Sequence, residues 1–475
     1  MYRTEVPLYG DLVEIVRSVD DAVLLARDDG GGTVSNVQEP QQQQLPARHR
    51  LERHGAIRLG TQHEMRTIGR LFAIMGMHPV GYYDLAVPGV GFPLHGTAFR
   101  PLTEDALRKN PFRVFTTVLR PDLITSSEVR ETATAILQSR NLFSPALYTL
   151  LDRAELAAAG TDALTAEEAE TFIAESLKIF QWHSRSRVPL EVYLRLKREH
   201  PIVADIVCFP SAHINHLTPR TLDIDAVQAE MIRRGLPAKE CIEGPPAGRK
   251  CEILLRQTSF KALEERVVFP GEGDSEANRA VVDGTHTARF GEVEQRGAAV
   301  TRRGRDLYDG LLAQAMEAGH QSAGTTGSGV LEEVFRAHFP DDWTELRKQG
   351  LVFFRYRVRQ QSGVSKSDWS MEELLEKGIV ECEPITYEDF LPFSAAGIFR
   401  SNLGDGRESP DGGSGSDTRS NDGSDVGRKE LEALLGRTIP SEIDMYERLQ
   451  SASVRECEEV LGLEENRIAL WQREI

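Results

Sequence analysis

Apolar positions recur at helical spacing near the start of the chain. Leu12, Val13, Ile15, Val16, Val19, Val23 and Leu24 share one face and predict a helix over 9–27. A polar run follows at 28–45, glycine-rich at first and then glutamine-rich from Gln41 to Gln44. It has no core potential and reads as a flexible loop. The pattern then changes. Residues 53–60 read as a strand, and 62–76 as a helix with His63, Met65, Ile68, Leu71, Phe72 and Met75 in phase, ending near Gly76. Val80 to Val87 and Phe112 to Leu119 are strand-like on either side of a Gly/Pro turn at 88–93. A strand, a helix and then further strands predict a βαβββ unit.

Residues 121–200 are polar and helical, bracketed by Pro121 and Pro201. A second mixed unit is predicted from about 202 to 310, with strands at 203–208, 212–218, 251–257 and 286–294 and a helix at 222–234. Helices at 305–318 and 328–337 and a strand at 350–360 follow. Residues 402–428 are rich in Gly, Ser and Asp and predict disorder, and 428–470 predict one or two charged amphipathic helices. The expected class is α+β. It comprises an N-terminal helix (1–27), a loop (28–45), a βαβββ-like module (46–120), a helical insertion (121–200), a second such module with extensions (201–400), a disordered linker (401–428) and C-terminal helices (429–475).

Composition narrows the function classes. The 475 residues carry 73 acidic against 56 basic side chains, a formal charge of −17. Such a chain is a poor partner for nucleic acid or an anionic membrane face, although local arginines can still bind a small acidic substrate. Five cysteines without a CxxC pair point to free thiols in a reducing, cytoplasmic setting. No run of 18 apolar residues exists, and the first residues lack an apolar signal region, so neither membrane spanning nor secretion is expected. The oligomeric state is not readable.

Three strand-like runs carry ionisable side chains: Arg53 to Arg58, Ile214 to Thr218 and Phe290 to Gly297. Two histidines and one carboxylate on separate strands form a ligand set for a mononuclear non-haem Fe(II) site with open positions. Alternation puts His54, Ala56 and Arg58 on one face, so an imidazole and a guanidinium point into one cavity. That pairing suits an anionic substrate chelated at a metal, with the arginine fork on a distal carboxylate. His216 lies on a similar strand, with His213 three residues earlier and on the other side of a regular strand. Glu292 and Glu294 share a face, so alternation alone does not choose between them.

At these residues the chain resembles the 2-oxoadipate dioxygenase/decarboxylase family. The resemblance is carried by Arg53-His54-Gly55-Ala56-Ile57-Arg58-Leu59-Gly60-Thr61, Gly81-Tyr82-Tyr83-Asp84-Leu85, Ile214-Asn215-His216-Leu217-Thr218-Pro219-Arg220, Leu254-Leu255-Arg256-Gln257-Thr258-Ser259-Phe260, Gly291-Glu292-Val293-Glu294-Gln295-Arg296-Gly297 and Tyr387-Glu388-Asp389-Phe390-Leu391-Pro392. It spans roughly 8–400. It implies a vicinal-oxygen-chelate-like fold related to 4-hydroxyphenylpyruvate dioxygenase, whose Glu-Ile-Ile-Gln-Arg strand supplies a metal carboxylate. Aligning Gln-Arg puts that ligand on Glu292, with Glu294 as the alternative.

The resemblance further implies Fe(II) on His54, His216 and Glu292, and Arg58 on the substrate's carboxylate. The implied reaction converts 2-oxoadipate and O2 to 2-hydroxyglutarate and CO2 in lysine catabolism, with no separate cosubstrate. Gln257, Thr258 and Arg296 are further candidates for the pocket wall. Phe393 falls where the family has a smaller aliphatic residue lining the substrate, and an aromatic there implies a shorter pocket. The rival readings are a metal-dependent lyase or isomerase of the same fold, which needs no O2, and a catalytically silent interaction protein.

Overall fold

The computed structural model describes residues 1–29, 48–86, 91–158, 160, 163–271, 281–321, 327–359, 370–391 and 423–463. Its first module is a βαβββ unit. It comprises β1 (Arg53–Leu59), the helix Gln62–Ile74, β2 (His78–Asp84), β3 (Leu94–Arg100) and β4 (Phe112–Leu119). β4 pairs antiparallel with β3 and parallel with β1. The helix starts sharply because Thr61 and Glu64 form a capping box, each side chain meeting the other's backbone N–H.

The second module repeats this plan in looser form. It runs through β5 (His216–Pro219), the helix Ile224–Arg233, β6 (Leu255–Ser259), a hairpin of β7 (Glu264–Pro270) and β8 (Val281–Thr287), and β9 (Phe290–Arg296). β9 is antiparallel to β6 and parallel to β5. Outside β6, among the described residues, only single bridges form, Ala238 to Phe260 and Glu243 to Gln257, where the first module has a full strand. The β7–β8 hairpin stands apart as its own two-stranded sheet.

β1 and β5 pair antiparallel, with Ala56 opposite His216, and this join fuses the modules. The result is a curled seven-stranded sheet in the order β2-β3-β4-β1-β5-β9-β6. Its central strands are covered on both faces. All seven residues of β3 are buried, and so are six of seven in β9. Val293 and Phe290 of β9 join one apolar cluster with Leu12, Ile15 and Val16 of the helix Pro7–Asp29 and Val227 of the helix Ile224–Arg233. Gly291 permits that closeness: a Cβ there would stand 2.4 Å from the Phe260 ring. The N-terminus is tied to the same place, because the Tyr2 hydroxyl reaches the carbonyls of Phe290 and Asn215 at 2.6 and 3.0 Å.

The structure departs from the sequence pattern in several places. The apolar run at 203–208 is the helix Pro201–Cys208 and not a strand. Every residue from Ile202 to Cys208 is buried, so no helical period is visible. The true signals are Pro201 at the first turn and the His200 side chain accepting from Ile202 N. β5 begins only at His216, leaving 212–215 irregular. The strand expected at 350–360 is confined to Phe354–Val358. The segment read as disordered to 428 is helical from Gly423, in the helix Gly423–Leu435, and Leu431 on it is fully buried. The expected loop at 28–45 lies almost wholly outside the described residues, as do 402–422. A last helix, Glu442–Leu461, packs on β10 (Phe354–Val358), which pairs with β11 (Val380–Pro384).

Candidate metal centre

The three central strands β1, β5 and β9 each present one polar side chain to the same buried point. Ligand atoms of His54, His216 and Glu292 lie within 4.8 Å of one another, and all three residues are buried. His54 Nε2 is 3.1 Å from Glu292 Oε2, and His216 Nε2 is 3.7 Å from the same oxygen. Thr218 Oγ1 on β5 and Gln257 Nε2 on β6 donate to Oε2 as well, at 3.0 and 2.9 Å. Glu292 Oε1 is buried and has no hydrogen-bond partner among the described residues. A bare carboxylate oxygen beside two imidazoles is costly unless a cation completes it, so the donor set fits a metal ion.

Glu294 also points to this face, as alternation requires, but it is engaged elsewhere. Arg296 holds it with two bonds of 2.8 Å, and its Oε2 lies 2.7 Å from His54 Nδ1. A carboxylate this close to Nδ1 favours the tautomer with its proton there, which would leave the Nε2 lone pair for a cation. Burial works against ionising Glu294, yet Arg296 and His54 outweigh it and hold the carboxyl well below the usual range. Burial likewise disfavours charge on His54, but Glu294 and Glu292 together raise it above the ordinary histidine value. His216 is pushed down to about 4, first by burial and then by His54 and Arg58 against the pull of Glu292. A neutral imidazole is the form that binds metal.

Arg58 shares the face of His54 on β1, two side chains along. Its Nη1 lies 2.6 Å from Asp205 Oδ2 on the helix Pro201–Cys208. Asp205, His213 and His286 form a second buried group whose ligand atoms converge within 4.8 Å. Composition and spacing did not single out Asp205 or His286. An acid inside the apolar run Pro201 to Cys208 was the available signal, as was a histidine that is the one buried position of β8.

Of the other candidates, Gln257 faces Glu292, and its Nε2 is 3.4 Å from His54 Nε2. Thr258 faces away and donates to the Cys241 carbonyl. Arg296 serves Glu294 and also donates to the carbonyls of Tyr387 and Asp389, at 2.9 and 3.0 Å. Through that docked segment the Phe390 ring stands edge-on to His54, centroids 5.0 Å apart. Phe393 lies outside the described residues. No described helix is long and apolar enough to cross a membrane.

Fused βαβββ modules, with a buried group of two histidines and a carboxylate on the strands at their join, define a protein of vicinal-oxygen-chelate type. A sequence profile of the 2-oxoadipate dioxygenase/decarboxylase family matches residues 1–402. The 2-oxoadipate dioxygenase/decarboxylase of Escherichia coli (strain K12) is 45% identical over 462 residues, covering 96% of this chain and 95% of that one. The enzyme of the same description from Pseudomonas putida is 43% identical over 471 residues, covering 98% and 95%. Among solved structures, hydroxyglutarate synthase from Pseudomonas putida, in complex with 2-oxoadipate, superposes with a TM-score of 0.79 at 40% identity over 98% of this chain and 96% of that one. The chain belongs to the 2-oxoadipate dioxygenase/decarboxylase family.

Proposed function

We propose that the protein is an Fe(II)-dependent dioxygenase that converts 2-oxoadipate and O2 to 2-hydroxyglutarate and CO2, as a step of lysine catabolism in the cytoplasm. The observation that carries the reading is the convergence of His54, His216 and Glu292 around the unpartnered Glu292 Oε1. Membership of the family supplies the substrate class, and the relative solved with 2-oxoadipate supports the choice among 2-oxo acids. Five free cysteines accord with a reducing compartment.

In this reading His54, His216 and Glu292 hold the metal. Bound there, Fe(II) supplies the redox chemistry by which O2 reacts with a 2-oxo acid and releases its first carbon as CO2. The remaining residues position and exclude. Glu294 keeps the His54 proton on Nδ1, with Arg296 locking Glu294 in turn. Thr218 and Gln257 fix the orientation of Glu292 through Oε2. Arg58 takes the distal carboxylate of the substrate. Phe390 and the buried strands around the group keep water out.

The test is O2 uptake by the Fe(II)-loaded protein with 2-oxoglutarate, 2-oxoadipate and 2-oxopimelate in turn. Uptake with 2-oxoadipate, matched by equal 2-hydroxyglutarate and CO2, is expected. Turnover of a 2-oxo acid without O2 would indicate a lyase or isomerase instead.

A further inference from the structure

We propose that Asp205, backed by His213 and His286, is the positioning residue for Arg58, and so sets how strongly the enzyme favours an acid with a distal carboxylate over one without. The inference rests on the role given to Arg58 above.

Four donors converge on this one carboxylate. Oδ2 receives Arg58 Nη1 at 2.6 Å and Asn215 Nδ2 at 3.2 Å. Oδ1 lies 2.9 Å from His286 Nε2 and 3.2 Å from His213 Nε2. The donors come from β1, β8 and the irregular segment before β5, so Asp205 pins three separate parts of the chain. Each histidine is itself locked. His286 Nδ1 is 2.9 Å from the Tyr193 hydroxyl, and the Trp182 ring lies parallel to His286 within 14°. The same indole meets His213 edge-on at 4.7 Å, and Arg289 covers Trp182. Burial works against charge on Asp205, but His213 and Arg58 outweigh it and hold the carboxyl well below the usual range.

Two buried histidines and a carboxylate also resemble a second metal site. Arg58 decides against that. A dication at Asp205 would stand beside a buried guanidinium, where repulsion is poorly screened. The cation of this group is Arg58. A guanidinium fixed on a buried, fully bonded carboxylate cannot wander among rotamers, and its position relative to His54 on the same strand face is set before substrate arrives. The His54–Arg58 spacing then measures the substrate from its chelating end to its far carboxylate.

The experiment compares 2-oxoadipate with 2-oxohexanoate, which has the same chain and no distal carboxylate. In Asp205→Asn, kcat/KM on 2-oxoadipate is expected to fall roughly tenfold or more, while that on 2-oxohexanoate stays nearly constant and bound iron is unchanged. In an Arg58→Met background the same Asp205 change should have little further effect on the ratio, because one residue acts through the other. Asp205→Glu preserves the buried ion pair against simple unfolding but advances the guanidinium by about one methylene, so preference should move towards 2-oxoglutarate. An equal fall on both acids, additivity with Arg58→Met, an unchanged ratio in Asp205→Glu, or loss of a second equivalent of metal would each overturn the proposal. Discrimination lost in Arg58→Met and retained in Asp205→Asn overturns this inference alone. Discrimination retained in both overturns the role of Arg58 with it.

Discussion

Glu294 touches His54 from behind, Oε2 to Nδ1 at 2.7 Å, while Glu292 meets the same ring from the front at 3.1 Å. Two carboxylates one pleat apart on β9 thus take different tasks on one imidazole. The difference comes from Arg296, which occupies both oxygens of Glu294 and neither of Glu292.

This division predicts unequal mutants. Glu292→Ala should abolish iron binding and turnover. Glu294→Gln should retain iron with affinity weakened by about 10–100-fold, the usual consequence of losing an outer partner of a metal histidine. Metal titration of the two purified variants measures this. Full iron in Glu292→Ala with none in Glu294→Gln would move the ligand by two residues.

Arg58→Lys keeps the charge and loses the planar fork. Loss of a charge-assisted bond costs on the order of 1.5–3 kcal/mol, so kcat/KM on 2-oxoadipate should drop about ten- to a hundredfold with iron content intact. Steady-state kinetics with parallel iron analysis decides it, and wild-type values would leave Arg58 a purely structural partner of Asp205.

His95 makes stability depend on acid. It is buried, and burial with help from Arg120 pushes it down to about 4 from 6.5. Between those values the unfolded chain binds a proton that the folded chain refuses, so stability falls as pH falls through the window. The ceiling for the shift is about 3 kcal/mol. Denaturant titrations at pH 7 and pH 4.5 should show a smaller acid loss in His95→Gln than in the parent, and equal losses would remove His95 as the cause.

The C-terminal helix Glu442–Leu461 reaches the site through Tyr446. Its hydroxyl donates to Asp389 Oδ2 at 2.5 Å and accepts from Glu388 N at 2.7 Å. Asp389 is also held bidentately by Arg100. Tyr446→Phe leaves these buried groups short of a partner and should cost about 1–3 kcal/mol. Chemical denaturation reads that loss directly. A silent substitution would show that the segment carrying Phe390 is anchored without this helix.

Much of the fold was legible because its signals are local. The βαβββ plan of 53–119 shows as one switch of period, from the strand at 53–60 to the helix at 62–76 and back, although β3 (Leu94–Arg100) is not among the strands so read. The residues that alternation singled out, His54, His216 and the Glu292/Glu294 pair, do meet in space. Alternation could not separate the two glutamates, because what separates them is how the Arg296 side chain folds back onto Glu294. Asp205 escaped notice for a different reason. A helix buried all round has no polar face to give it a period, so 203–208 reads as a strand. Its partner Arg58 is 147 residues away, and no spacing rule reaches that far.

The join of β1, β5 and β9 also fixes a timetable. His54 and Glu292 are separated by 238 positions, and β5 has only four residues with which to bridge them. A nascent chain displays the first histidine early, on a module that can fold by local contacts. The carboxylate emerges only with β9, after the helical insertion and the β7–β8 hairpin. Until then the three side chains of the proposed centre are not all present. On the proposed ligand assignment, metal binding at this group would require the central sheet to close, because its third ligand arrives only with β9.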